Sequence, residues 1–505
     1  MTGRGERHRL ANQYAGSGGV VSRIGAPTMT FNSLVSRHLW RKAVATAAWL
    51  AVAALTAAPT QAQPRDKQAT SQRNKPGADI VARTFKNGLK VIVWPDHDIP
   101  NVALYTWYRV GSRNEAPGIT GISHFFEHMM FNGSKNFPPG EFDRVMEAAG
   151  GANNAYTSQD VTVYTDWFAR SALEIVVRME ADRICCLSFD STSVESERGV
   201  VYSERRTSVD NNGRDFLDEN VFATAFVAHP YQMPIIGWPS DIERWSIPDL
   251  ESYFRTYYAP NNATMLFVGD VTPAQIFTLM EKYLEPIPAQ PRPAPVRTVE
   301  PPQTGERRVV VRRPSPVPLL QMAFHAGAAE GPQAEAEDLL ETILTSGESS
   351  RLYRRMVDQD QVAVDVGSYL MRGFDPGLLV IYVTVSPDRG AAAAESSLVD
   401  ELARIAREGV TEAELAKAKT MHNAAYWRSL KTIDGKAEAL GSYEVFRGDY
   451  RKLFTAPERY GKVTVKAVHE AAKRIFDERN RTVGVLVPEE AAEASAGGAA
   501  GGSAK

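Results

Sequence analysis

The sequence predicts an α+β fold built from two similar halves of about 200 residues each. Three observations support this prediction. Segments with strand-like and helix-like periodicity are mixed along the chain, their order repeats, and a proline-rich stretch separates the repeats. A chain of 505 residues is also too long for one ordinary domain.

Residues 80–285 form the first predicted half. It opens with a hairpin, because the Asn87-Gly88 pair is typical of a tight turn between two short strands. Further strands are predicted near 102–109, 152–156, 161–167 and 264–269. Amphipathic helices are predicted near 120–132, 139–149, 169–184, 193–209 and 248–257.

A linker is predicted at 286–305, since the seven prolines between Pro286 and Pro302 are incompatible with a core helix or a central strand. The second half covers 306–488. Its strands are predicted near 307–313, 318–327, 362–371, 377–385 and 482–487. Its helices are predicted near 334–346, 390–408, 411–430 and 464–477.

The ends of the chain indicate export. Residues 1–62 are predicted to be an extension and a secretory signal, in which 37–62 combine basic residues, an apolar run and a small-residue cleavage site. The signal predicts a periplasmic or secreted protein without a stable membrane span after cleavage; an uncleaved anchor is the alternative. Residues 63–79 and 489–505 have the composition of a disordered leader and tail.

The net charge limits the classes of partner that we expect, and the cysteine spacing limits the disulfides. A net charge of −3 and a pI near 6.4 do not favour nucleic acid or an anionic membrane as a partner. Cys185 and Cys186 are neighbours in a predicted helix and point about 100° apart, which disfavours a bridge between them. Both are therefore expected to be small, buried, apolar residues.

One five-residue segment predicts a metal site. His124 and His128 are four residues apart on a predicted helix, so both imidazoles leave the same face and can bind one tetrahedral Zn²⁺. Glu127 lies on that face, where its carboxylate can take a proton from a metal-activated water. This order of residues is the inverzincin signature, the reverse of the commoner zinc helix. The alternative is that two surface histidines lie beside a glutamate by chance.

The motif and its surroundings resemble the pitrilysin and insulin-degrading-enzyme family, which includes the mitochondrial processing peptidases. The resemblance covers roughly 80–488. It is carried by the motif and by stretches at 110–115, 120–123, 129–134, 150–157, 229–231, 258–263 and 268–271. It implies a zinc metalloendopeptidase whose two halves close like a clamshell around a chamber.

The resemblance also implies the third metal ligand. In the family this ligand is a glutamate some 76 residues after the second histidine, and Glu204 lies at that distance from His128. Glu197, two helical turns before Glu204, corresponds to a second acidic residue that supports catalysis by holding a ligand or the water. An ordinary surface carboxylate is the alternative for Glu197.

The repeat predicts one metal site per chain. Aligning Gly133 with Gly347 places Asp338, Glu341 and Thr342 opposite the motif, so the second half has lost both imidazoles. Four other histidines, His229, His325, His422 and His469, have no predicted second ligand nearby.

The short strand after Gly151 is the predicted substrate site. In the family this strand lies at a sheet edge beside the zinc, and an edge strand can pair with an extended peptide. The residues concerned are Ala152, Asn153, Asn154 and Ala155. For Asn153, Asn154 and Thr157, a local role in fixing the turn is an equal alternative.

The chain departs from the family at one point. Single-chain members carry an arginine and, seven residues later, a tyrosine that reach the substrate, whereas Val357 and Val364 stand at those positions here. Either Arg354 or Tyr369 takes over the role, or a homologous subunit supplies the pair in a heterodimer; a homodimer is also possible. The chain would then be the zinc-bearing subunit of a peptidase or assembly complex, inactive alone. A zinc hydrolase acting on small amides is a further alternative.

Overall fold

A computed structural model describes residues 77–188 and 190–489. The predicted signal at 37–62 lies outside these residues, as do the predicted leader and tail apart from 77–79 and Glu489. Within the described ranges, no helix is both long and apolar enough to cross a membrane.

The first half contains a six-stranded sheet with the order β1-β2-β6-β3-β5-β4. Its strands are β1 (Val81–Thr84), β2 (Lys90–Pro95), β3 (Asn101–Tyr108), β4 (Ala152–Thr157), β5 (Thr162–Ala169) and β6 (Ala263–Gly269). Its helices are α1 (Ile122–Met129), α2 (Glu141–Ala148), α3 (Leu173–Cys186), α4 (Ser191–Arg205), α5 (Gly213–Ala225), α6 (Pro239–Ile242), α7 (Ile247–Tyr257) and α8 (Pro273–Leu279). Gly88 has a φ of +86°, which is what the turn before β2 requires.

The second half contains a five-stranded sheet with the order β7-β11-β8-β10-β9. Its strands are β7 (Arg307–Pro314), β8 (Leu319–His325), β9 (Ala363–Leu370), β10 (Leu378–Val385) and β11 (Arg481–Glu489). Its helices are α9 (Ala334–Thr345), α10 (Ala391–Glu408), α11 (Glu412–Ser429), α12 (Ile433–Arg447), α13 (Ala456–Lys462) and α14 (Val465–Ile475). No helix or strand is assigned between 288 and 306, where the proline-rich stretch lies.

The two sheets follow one plan. In each, a parallel pair (β2 with β6, β7 with β11) is followed by an antiparallel strand and an antiparallel hairpin. The hairpin strand farthest from the parallel pair is β4 in the first sheet and β9 in the second. This correspondence confirms the predicted α+β fold with two similar halves.

Two helices cross between the halves. Helix α12 of the second half packs on β3 and β6, where Leu440 and Ala437 join Trp107 in one buried cluster. Helix α5 of the first half packs on the second sheet, where Val221 joins Leu486. Each sheet therefore has one face covered by its own half and the other covered by a helix from the opposite half. Neither α5 nor α12 was predicted from the sequence.

The prediction for the two cysteines is wrong. A disulfide joins Cys185 to Cys186, and Cys185 is exposed rather than buried. A bridge is disfavoured only where both residues lie inside a regular helix. Cys186 is the last residue of α3, and Leu187 after it is no longer helical, so the helix does not hold both side chains at their regular angle.

Candidate metal centre

Helix α1 is held in place by burial and by a carboxylate at its start. Phe125 and Phe126 are fully buried in the core of the first half, which turns the opposite face of the helix toward α4 and β4. Glu115 accepts hydrogen bonds from the N–H groups of Gly121 and Ser123, at 2.7 and 2.8 Å. These bonds satisfy two N–H groups that a helix start leaves without partners.

Helix α4 supplies the two predicted glutamates. Asp190 caps its N-terminus by accepting hydrogen bonds from the N–H groups of Thr192 and Ser193. Since Glu197 and Glu204 are two turns apart, they share the side of α4 that packs against α1.

The structure brings His124, His128 and Glu204 together. Glu204 Oε2 lies 3.2 Å from His128 Nε2 and 3.7 Å from His124 Nε2. One ligand atom from each residue lies within 4.8 Å of the others. A tetrahedral zinc with bonds of about 2.0–2.2 Å separates its ligand atoms by about 3.4 Å, so these donors fit a zinc ion.

A second cluster that combines Asp182 with the two cysteines does not offer such a site. The disulfide leaves no thiolate, and both oxygens of Asp182 already accept hydrogen bonds, from Ser134 and from Asn136.

Glu197 lies behind His128 rather than among the three ligands. Its Oε1 is 2.8 Å from His128 Nδ1, and Asn132 donates to its Oε2 at 2.7 Å. With Nδ1–H donating to Glu197, the lone pair of His128 Nε2 points away from Glu197 and toward Glu204. Glu197 therefore orients the imidazole of His128.

The electrostatics of the site favour a cation. Burial lowers the pKa of His124. Burial also opposes protonation of His128, but hydrogen bonds with Glu197 and Glu204 outweigh it and raise the pKa of His128 to about 10. Burial works against the charged form of Glu204 too, yet the two imidazoles lower its pKa. Carboxylates that attract a proton here would also attract a metal ion.

Glu127 is held by a residue that the sequence analysis did not assign to the site. Thr157 donates from Oγ1 to Glu127 Oε2 at 2.6 Å, and Thr157 is itself buried. The sequence analysis considered only a local turn role for Thr157. Its position at the end of β4, two residues after Ala155, could have indicated that Thr157 belongs to the site, because alternate strand residues share a face.

Strand β4 lies at the edge of the first sheet and, among the described residues, pairs only with β5. Ala152 and Asn154 are exposed, whereas Asn153 and Ala155 are partly buried. Asn153 donates to Asp143 of α2 at 3.1 Å. The outer backbone edge at these four predicted substrate residues is not covered by another described strand.

Comparison with known proteins identifies the family. Residues 90–238 match the family described as insulinase (peptidase family M16), and residues 244–421 match the peptidase M16 inactive domain. The zinc protease PqqE of Helicobacter pylori is 30% identical over 410 residues, which cover 80% of this chain and 92% of that protein. The chain belongs to the M16 peptidase family.

Two solved structures of the M16 fold are also similar. A crystal structure of a protease from Helicobacter pylori has a TM-score of 0.78 and 29% identity, and covers 81% of this chain and 99% of its own. The periplasmic protease PqqL of Escherichia coli has a TM-score of 0.68 and 19% identity. That match covers 81% of this chain but 48% of PqqL.

The second half carries a changed version of the M16 site. Asp338 and Glu341 of α9 are buried; Asp338 accepts from Arg372 at 2.8 Å and Glu341 accepts from Ser368 of β9 at 2.7 Å. Because β9 corresponds to β4, the Glu341–Ser368 contact mirrors the contact between Glu127 and Thr157. Burial raises the pKa of Glu341 to about 7. This half keeps the carboxylate–hydroxyl pair, but Asp338 and Thr342 replace the two histidines on the helix.

The structure also shows where the residues discussed for the missing arginine and tyrosine lie. Val364 of β9 is 57% exposed, and Val357 packs against the core of the second half. Arg354 is exposed, while Tyr369 donates to Asp218 of α5 at 2.5 Å. Tyr369 therefore takes part in the contact between α5 and the second sheet.

Proposed function

We propose that this M16 protein is a zinc metalloendopeptidase that cleaves peptides or unfolded segments, with Glu127 as the general base. The observation that carries the proposal is the convergence of His124, His128 and Glu204 beside Glu127. The relatives named zinc proteases support zinc as the metal.

Each residue has a distinct role in the proposed mechanism. His124 and His128, through Nε2, and Glu204, through Oε2, would hold Zn²⁺. When bound, the ion would supply Lewis-acid activation of a water and of the scissile carbonyl. Glu127 takes the proton from the attacking water and can pass it to the leaving amine. Thr157 keeps one oxygen of Glu127 in a hydrogen bond and so fixes the direction of the carboxylate.

The edge strand supports a peptide substrate. An extended peptide can add to β4 through main-chain hydrogen bonds along Ala152, Asn153, Asn154 and Ala155. Such pairing places the peptide backbone next to Thr157 and thus next to Glu127. Because backbone pairing depends little on side chains, unfolded segments are suitable substrates.

Metal removal and one substitution test this function. Chelation should abolish cleavage of an unfolded protein or a quenched peptide, and added zinc should restore it. Glu127→Gln should keep one zinc per chain and lose about 10²–10⁴-fold in kcat. Near-normal turnover by this variant would reject Glu127 as the base. Stoichiometric zinc in a variant that lacks all three ligand side chains would reject the metal site.

A partner-dependent version of this function is the second candidate. Val357 and Val364 offer no donor to a substrate, and Tyr369 already bonds to Asp218. This chain also matches only 48% of PqqL, so that protein has about as much chain again. A homologous subunit that carries the arginine and tyrosine, in a heterodimer, would supply the missing donors; a second copy of this chain would not.

The partner is tested by co-purification from the native source followed by reconstitution. In the partner-dependent case, the isolated chain binds zinc but cleaves poorly, and the partner raises kcat without changing zinc content. Full activity of the isolated chain, lost in Arg354→Ala, would reject this candidate.

The proposed location is the periplasm or the outside of the cell. The predicted signal at 37–62 supports it, and the similar protein PqqL is described as periplasmic. Fractionation and N-terminal sequencing of the mature chain test it: a mature start at Gln63 is expected, whereas retention in the cytoplasm would reject the export signal.

A further inference from the structure

The second half contains a cavity of about 890 Å³. It is lined by residues of α11, α12, α13 and the segment that joins α12 to α13. None of the metal-centre residues belongs to this lining, which we call the α11–α13 cavity.

Glu438 of α12 connects the cavity to the edge strand. It is one of the lining residues, and the hydroxyl of Tyr156 lies 3.0 Å from each of its carboxylate oxygens. Tyr156 precedes Thr157 on β4, and successive strand residues point to opposite faces. Thr157 points to Glu127 on the α1 side of the sheet, so Tyr156 points to the α12 side, where the cavity lies.

The cavity lies on the β4 side of α12. Lys436 and Glu444 form ion pairs with Asp96 and Lys90, at the β2 side of the sheet. Glu438 is two residues from Lys436 and therefore projects from roughly the opposite side of the helix. A peptide paired with β4 would send alternate side chains to the two faces of the sheet, one set toward α1 and the other toward the cavity.

The charged side chains that line the cavity are of both signs: Lys419 and Arg428 are cationic, whereas Glu438 and Glu458 are acidic. Lys419 donates to the carbonyl of Gly461 at 2.8 Å, and Glu458 pairs with Lys462 at 2.6 Å. Within the described part of the chain, no ion pair is recorded for Glu438, and Tyr156 is its only recorded hydrogen-bond partner. Burial raises the pKa of Glu438 to about 7. A cation that reaches this carboxylate would restore its charged form and pair with it.

The remaining lining suits a long basic side chain. The rings of Tyr426 and Tyr443 line the cavity. Arg447 and Arg459 already lie over the Tyr443 ring, at 5.2 and 5.7 Å, so the Tyr426 ring is the aromatic face that can attract the ammonium of lysine or the guanidinium of arginine. The long aliphatic part of either side chain can lie against the small apolar residues of the wall, such as Ala439.

We infer that the α11–α13 cavity is a substrate subsite for a lysine or arginine side chain of a peptide bound along β4, with Glu438 as the selecting residue. The inference rests on the proposed peptidase function, because it assigns the substrate preference of that same site.

The test measures binding separately from cleavage. Fluorescent peptides that carry lysine, methionine or glutamate at each position in turn are titrated into the zinc-loaded Glu127→Gln chain, and anisotropy gives Kd. Lysine should bind about 10- to 100-fold more tightly than methionine at one position, as expected for a hydrogen-bonded charge pair. Adding Glu438→Gln should remove this preference.

Two further variants serve as controls. Glu458→Gln removes a charge from the same lining that Lys462 already neutralises, so the preference for lysine should remain. Tyr156→Phe removes the hydroxyl but keeps the carboxylate, so the preference should also remain. Loss of the preference in Tyr156→Phe would mean that the residue pair only supports the structure, and would overturn the assignment of Glu438.

The outcomes separate the two proposals. A lysine preference that survives Glu438→Gln, or no preference in the parent chain, overturns the subsite. A preference that depends on Glu438, in a zinc-loaded wild-type chain that cleaves no peptide either alone or with its co-purified partner, upholds the subsite and overturns the peptidase function.

Discussion

Thr157 donates a 2.6 Å hydrogen bond to Glu127, so the last residue of the edge strand contacts the proposed general base. The same strand therefore offers its backbone to a peptide and orients the carboxylate that would act on it. Glu341 and Ser368 repeat this contact in the second half, where Asp338 and Thr342 take the positions of the two histidines. The contact thus belongs to the shared architecture of both halves, and the histidines make the first half suited to a metal.

Replacing Thr157 tests its contact with Glu127. Thr157→Val keeps the shape of the side chain but removes the donor, so kcat for peptide cleavage should fall about 10- to 100-fold. Zinc content should not change, because Thr157 touches Glu127 and none of the ligands. Thr157→Ser restores the hydroxyl and should recover most of the activity. An unchanged kcat in the valine variant would show that the contact does not orient the base.

Zinc affinity should distinguish Glu197 from Glu204. Glu197→Gln weakens the acceptor for His128 Nδ1, which should reduce zinc affinity about 10- to 100-fold. Glu204→Gln removes a ligand and should cost more. Competition with a chromophoric chelator measures both. Asn132→Ala is the mild control, since it removes only a donor to Glu197. Equal losses in the two glutamate variants would place Glu197 among the ligands.

The crossing of α5 and α12 predicts that the two halves unfold together. A side chain at Gly441 of α12 would overlap the Trp107 indole, and one at Gly484 of β11 would overlap Val221 of α5. Gly441→Val and Gly484→Val should each lower stability by about 1–3 kcal/mol. Calorimetry should show one transition that shifts as a whole in both variants.

Gly199→Val is the matched control, because this helical position has open space around it and the same substitution should change the melting temperature little. Two transitions, of which each buried variant shifts only one, would contradict the coupling between the halves.

Glu414 should make part of the stability depend on pH. Burial opposes its charge, but the Arg351 guanidinium and the N–H and hydroxyl of Thr411 outweigh burial and lower the pKa of Glu414 to about 2. A lowered folded-state pKa contributes stability above the ordinary value of 4.5, and this contribution is lost as the pH falls toward 2.

Glu414→Gln should therefore cost about 1 kcal/mol at pH 7, after allowance for solvent screening, and the cost should shrink below pH 4.5. Urea unfolding at several pH values measures it. Glu412→Gln, on the same helical turn and exposed, should show a smaller cost. A cost for Glu414→Gln that is constant with pH would contradict the assignment.

Local patterns predicted the elements that carry the metal site. The spacing of His124, Glu127 and His128 places them on one helical face whatever surrounds the helix, and the family distance from His128 leads to Glu204. The structure places these side chains together, and zinc binding itself stays a prediction. The turn at Asn87-Gly88 could also be predicted from the sequence, because its backbone preference is local.

Three features could not be read from the chain. Thr157 reaches Glu127 only because β4 lies beside α1, and Glu438 reaches Tyr156 only because α12 crosses to the first sheet. The cysteine prediction failed because it assumed regular helical geometry at both cysteines, whereas α3 ends at Cys186.

By itself, the sequence determined the two similar halves, the linker and the shared helical face of His124, Glu127 and His128, since periodicity and spacing act within a few helical turns or strand residues. Glu204 and Glu197 were added by the resemblance to the family. Only the tertiary structure decided which helix covers which sheet, which hydroxyl holds Glu127 and which carboxylate faces the cavity. Those contacts join residues that are far apart in the chain, and their geometry depends on how whole elements pack against one another.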